Sequence, residues 1–165
     1  MQPTSTITKG LIIALLMIVS GLAFYFSGID LNSPLRWLTY CIFVIGVILA
    51  IMQYGKQIDH NATFGNYFAH GFKISAAVTV IMIIYIVVFV LLFPDFKEKA
   101  LDEARKAMDA RGGSEEQKVQ AVEMTKKLFM VFLVAGTLIY NLIVGVIASL
   151  IGAAVTKKNP RPLED

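Results

Sequence analysis

The chain has 165 residues, of which 56% are hydrophobic, and its mean hydropathy is +0.67. Soluble domains sit nearer ~45–50% apolar, so this composition points away from them and toward a membrane protein of one domain's length. The net charge of +3 is small and scattered, which excludes the basic footprint of a nucleic-acid binder, and the single Cys41 excludes an internal disulfide or a multi-cysteine metal centre.

Four uncharged apolar runs follow in chain order. Residues 10–28 carry no charge over 19 positions, 37–54 none over 18, 74–93 none over 20, and 128–156 none over 29. About 20 helical residues cross the ~30 Å hydrocarbon core of a bilayer. Backbone polar groups in lipid must be satisfied within the segment, so each run is expected to be a helix. The expected fold is therefore an all-α integral membrane protein with four transmembrane helices. Lys9 precedes the first run as in a signal peptide. That run is longer than a usual signal core and no A-x-A-like site follows it, so an uncleaved helix is expected. The fourth run exceeds what a crossing needs and should tilt or project. Trp37 and Tyr40 open the second span and Tyr54 closes it, as rings do at the headgroup level. Lys9, Arg36, Lys56, Lys73, Lys127 and Lys157 flank the spans, where their stems can snorkel.

Between the second and third spans lies "DHNATFGNYFAHGFK", with both histidines. Thr63 suits an N-cap. Phe64, Tyr67, Phe68, Gly71 and Phe72 then recur at the spacing of one helical face, which predicts an interfacial helix start over 63–73 feeding the third span. As a metal set, Asp59, His60 and His70 fail: ten residues separate the histidines and no third strong ligand is near. Asn61-Ala62-Thr63 is also a glycosylation triplet, which matters only in a eukaryotic secretory setting.

Residues 95–127 are rich in both charges and predict a helical hairpin outside the membrane. Pro94 ends the third span and Asp95 is placed to cap the next helix. Phe96, Ala100, Ala104 and Met108 make one apolar face, with Asp102–Lys106 and Lys99–Glu103 as pairs four residues apart. Gly112-Gly113 breaks this helix, and Ser114-Glu115-Glu116-Gln117 has the capping-box pattern that starts another. The second helix is expected to continue unbroken into the fourth span. The segment reads either as a solvated link or as a surface for a protein partner.

None of the four runs contains an ionisable side chain of the kind that marks intramembrane function. There is no H-E-x-x-H, no phosphate-binding glycine loop and no G-x-S-x-G turn. No enzyme activity, catalytic residue, cofactor or metal is expected. The fourth run does carry a pattern: Thr137, Asn141, Gly145, Ser149 and Ala153 fall on one stripe, every fourth residue. Small residues let backbones approach and Asn can hydrogen-bond across a contact. Gly46 with Ala50, and Ala14 with Gly21, are shorter versions. Two readings stand: packing within the chain's own four-helix bundle, or a homo-oligomer contact or pore lining.

Two segments carry a resemblance: Thr63, Phe64, Gly65, Phe68, Gly71 and Phe72 entering the third span, and Gly152, Ala153, Ala154, Lys157, Lys158, Asn159 and Pro160 ending the fourth. Together they resemble a family of small bacterial membrane proteins, domain of unknown function 4199, common in the Bacteroidetes. The resemblance implies a four-helix protein of the bacterial inner membrane and brings no activity or cofactor with it. The functional expectation is a non-enzymatic structural or partner-binding membrane component in the lipid bilayer. The alternative is a small oligomeric transporter or channel using the polar face of the fourth span. The dense basic segment "TKKNPR" favours cytoplasmic termini, although raw lysine and arginine counting favours the opposite side.

Overall fold

The computed structural model describes residues 5–30, 33–112 and 115–159, and every regular element among them is helical. Helix α1 spans Thr6–Phe26. It begins four residues before the apolar run because the Ser5 hydroxyl caps it, accepting from the Thr8 amide at 3.1 Å. Lys9 is therefore inside the helix and does not flank it. A 3-10 turn, Pro34–Arg36, leads into α2, Trp37–Gln57. The Arg36 guanidinium holds the preceding loop by donating to the carbonyls of Asp30 and Ile29 at 3.0 and 3.1 Å.

After α2 the chain reverses through Asp59 and His60, both left-handed at φ 52° and 60°. Helix α3 then runs over Phe64–Leu92, taking the expected interfacial start and third span into one element of 29 residues. Thr63 caps it, its hydroxyl accepting from the Asn66 amide at 3.4 Å. Helix α4, Pro94–Arg111, departs from expectation at its start. Phe93 is the N-cap, Pro94 is the first helical residue, and no side chain caps the end. Proline's fixed φ suits that position and its missing N–H has no partner to lose there. Asp95 instead lies in the first turn, where its charge complements the helix dipole. Gly112 follows at φ 72°. Gly113 and Ser114, the start of the expected capping box, lie outside the described residues. Helix α5 is Glu115–Lys127 and α6 is Phe129–Val155. The expected unbroken helix is interrupted by a turn at Leu128. Hydrogen bonds still pass through it, from Leu128 N to Met124 O and from Phe132 N to Leu128 O, each 2.9 Å.

Four helical stretches are long and apolar enough to cross a membrane: Thr6–Phe26, Pro34–Gln57, Phe64–Leu92 and Phe129–Val155. Their large apolar side chains lie exposed on the protein surface, among them Leu15, Val19, Leu49, Ile84, Leu91, Val131 and Ile143. The chain divides into two compact units. The first comprises Met1–Met82 with Ile139–Asp165, and the second Ile83–Leu138. In the first, Met17, Phe43, Val47, Ile51, Tyr67, Ile74 and Val78 form the buried core with Ala148 and Ala153. In the second, Phe89 packs against Phe93 and Phe96, and Lys118 of α5 pairs with Asp109 of α4 at 3.4 Å. Arg105–Asp102 and Lys106–Glu103 are exposed pairs on α4, contributing a few tenths of a kcal/mol each at about 0.2–0.5.

Candidate functional site

The first unit contains a seam between α3 and α6. A Cβ added at Gly145 would lie 2.6 Å from Ser75 Cβ, and one added at Gly71 would lie 2.9 Å from Ser149 Oγ. One turn forward along α3 thus matches one turn back along α6, an antiparallel register that carries Thr79 to the level of Asn141. The small residues permit backbone approach that larger ones would block. Gly71 and Gly152 also grip α2 between them, since a Cβ at either would meet Ile51 Cδ1. Asn141, Gly145, Ser149 and Ala153 are all buried. Thr137, the first residue of the stripe, belongs to the second unit and is half-buried, donating to the Leu133 carbonyl at 2.8 Å.

Most hydroxyls in the seam turn back on their own helix. Thr79, Ser149 and Thr156 donate to the carbonyl four residues earlier at 2.8, 2.6 and 2.7 Å. This satisfies a hydroxyl without a partner across the contact. Two polar atoms are left over: Ser75 Oγ and Asn141 Oδ1 are buried and find no hydrogen-bond partner among the described residues.

A second polar group of the same unit surrounds Tyr54. Lys9 is only 5% exposed, and its ammonium donates to the Ala50 carbonyl of α2 at 3.3 Å. One turn along α2, the Tyr54 ring stacks flat on the His70 imidazole, with centroids 3.9 Å apart and planes 10° apart. Tyr67, one turn before His70 on α3, meets Tyr54 edge-on at 6.1 Å. His70 Nε2 and the Tyr67 hydroxyl are buried and have no partner among the described residues. Lys9 and Lys73 are the cations whose fields reach His70. The charge-free run beginning at Gly10 hid Lys9 from sequence reasoning. The signal that could have found it is Ser5, an N-cap residue placed to start the helix ahead of the apolar pattern.

The expected interfacial aromatic face divides. Phe64 and Phe72 are 42% and 38% exposed, and the half-buried Phe68 stacks on Phe72 at 6.1 Å. Tyr67, by contrast, is 0% exposed and belongs to the core. At 3.6 residues per turn, Tyr67 and Phe72 point roughly 140° apart, too wide for one lipid-facing stripe. His60 is not near His70 in role either. Its amide donates to Gly55 O at 2.7 Å, its Nδ1 lies 3.0 Å from the Lys157 carbonyl, and its own carbonyl accepts from Asn159 N at 2.8 Å. It clasps the chain leaving α6, and Lys158 lies over the Phe64 ring at 5.9 Å from its centroid. Among the described residues no three His, Cys, Asp or Glu side chains converge in a way that could hold a metal ion.

The segments after α2 and at the end of α6 are thus one piece of structure, joined at Ile51, His60 and Phe64. Neither a curated protein nor a solved structure matches the chain. A family model does match, over residues 8–158, a span that takes in Lys9, the joined segments as far as Lys158 and the whole seam. The chain belongs to the family described as Protein of unknown function (DUF4199).

Proposed function

We propose that this protein is a multi-pass membrane component that acts by binding, as a structural or partner-binding subunit, and catalyses no reaction. The apolar side chains exposed along α1, α2, α3 and α6 support the membrane reading, since soluble monomers rarely leave such surface uncovered. The observation that carries the rest is the seam. Asn141, Gly145, Ser149 and Ala153, the residues that would line a pore or a homo-oligomer contact, are buried within the chain's own first unit. The element left for a partner is the charged α4–α5 segment, read as a helical hairpin outside the membrane. Its groove of about 440 Å³ is lined by Met108, Val119 and Val122 together with charged side chains of both signs, Arg105, Lys118 and Lys126 with Asp109 and Glu123. The family resemblance and the basic segment after α6 favour the bacterial inner membrane with both termini cytoplasmic.

Cysteine reactivity tests this reading. In a Cys41→Ser background, Val119→Cys should react rapidly with a water-soluble maleimide, because Val119 is exposed. Asn141→Cys and Ser149→Cys should stay unreactive until the protein is denatured. Labelling of the buried pair at rates near that of Val119→Cys would replace the packing reading with the transporter or channel.

A further inference from the structure

We propose that Lys9 and His70 form a binding site for a phosphate anion, on the face of the first unit where α1 and α3 begin. Three observations support it. First, Lys9 is buried and under-satisfied. Its ammonium has three donors and one acceptor, the Ala50 carbonyl, and among the described residues no carboxylate pairs with it. Removing an ammonium from water without a counter-charge is costly, and a buried charge is kept where something pairs with it. In a membrane segment such a residue marks a site by default.

Second, His70 is held ready. Stacking on Tyr54 fixes the plane of its imidazole, and Nε2 lies buried with no partner. Lys9 sits one turn of α2 away from it, its ammonium on the Ala50 carbonyl while His70 lies on the Tyr54 ring. Third, the surrounding field favours an anion. Lys56, Lys73, Lys157 and Lys158 are exposed where α2 ends, α3 starts and α6 ends, and Asp59 is the one acidic side chain among the described residues there. A phosphate has enough oxygens to accept from Lys9 and His70 together and still present one to the exposed Lys73. The chemistry is shared by two sources, an anionic phospholipid headgroup and free phosphate.

The full chain in neutral detergent, supplemented with phosphatidylglycerol, phosphatidylcholine or inorganic phosphate, separates the outcomes by its thermal unfolding midpoint. With ligand at ten times its dissociation constant, the unfolding constant should fall about tenfold. Phosphatidylglycerol should give this shift and phosphatidylcholine should not. Lys9→Gln should lose the shift, and His70→Phe, which keeps a ring on Tyr54 but no Nε2, should weaken binding about tenfold, the lower end of what one charge-assisted hydrogen bond supplies, and so leave only about a twofold fall. Lys56→Gln should keep it. If Lys9→Gln fails to fold, His70→Phe alone decides. An equal shift from inorganic phosphate supports the site and assigns it to a soluble anion. No shift from either source, or one that His70→Phe leaves undiminished, overturns the proposal.

Discussion

Gly145→Ala is expected to lower the unfolding midpoint of the chain sharply, while Gly136→Ala on the same helix leaves it unchanged or raises it. The two substitutions add the same methyl group to the same element. At Gly145 the new Cβ would lie 2.6 Å from Ser75 Cβ and 2.9 Å from Ser75 Oγ. Ser75 Cβ is fixed to the α3 backbone and cannot rotate aside, so the two helices must separate. Overpacking of this kind costs about 1–3 kcal/mol, with the upper end expected where backbone must move. At Gly136 an added Cβ meets nothing within 4 Å, and alanine gains about 0.5–1 kcal/mol over glycine in a helix interior. Thermal unfolding in detergent measures both. Equal effects at the two positions would mean that α6 does not approach α3 at Gly145.

Asn141→Leu should leave stability unchanged or raise it by up to about 1 kcal/mol, and Asn141→Asp should cost several kcal/mol. Asn141 is 3% exposed and its Oδ1 is buried with no partner among the described residues. An unsatisfied buried polar atom is a penalty, so a leucine, with the same number and branching of side-chain heavy atoms, removes it without leaving a cavity. A carboxylate at the same place adds a charge with nothing to pair with it. The sign distinguishes structural from transport roles. A pore-lining amide replaced by leucine would abolish conduction, whereas a seam residue replaced by leucine tightens the fold. Chemical denaturation of the two variants in mixed micelles reads the difference directly.

Much of this architecture was legible in the sequence because its signals are one-dimensional. Charge-free length marks four spans, and the every-fourth-residue stripe on α6 is visible without knowing what it touches. Its mate on α3 was not legible. Gly71, Ser75 and Thr79 are also spaced by four, but they share their helix with Phe64, Phe68 and Phe72, whose larger side chains dominate any reading of that segment as an interfacial face. A helical wheel places Tyr67 beside those rings and cannot say that it turns into the core. Lys9 was hidden for a different reason. Charge bounds an apolar run whereas caps bound a helix, so a lysine inside the first turn falls outside the charge-free run. His60 carried no local signal for its clasp on Lys157 and Asn159, because those partners are 97 and 99 residues away.

The central claim is that the polar stripe of α6 is spent on α3 of the same chain, in one antiparallel register. A double-mutant cycle between Gly145→Ala and Ser75→Gly tests it most directly. Gly145→Ala alone should destabilise by crowding, while Ser75→Gly alone should change stability little, because the about 0.5–1 kcal/mol cost of glycine in a helix is offset by removal of the unpartnered Ser75 Oγ. Together they remove the clash, because the added methyl then faces a residue without a Cβ. The account predicts that the double variant unfolds at a higher temperature than Gly145→Ala alone, with a coupling of about 1–3 kcal/mol that does not depend on protein concentration. Strictly additive losses, or a rescue that appears only as the protein is concentrated, would contradict it.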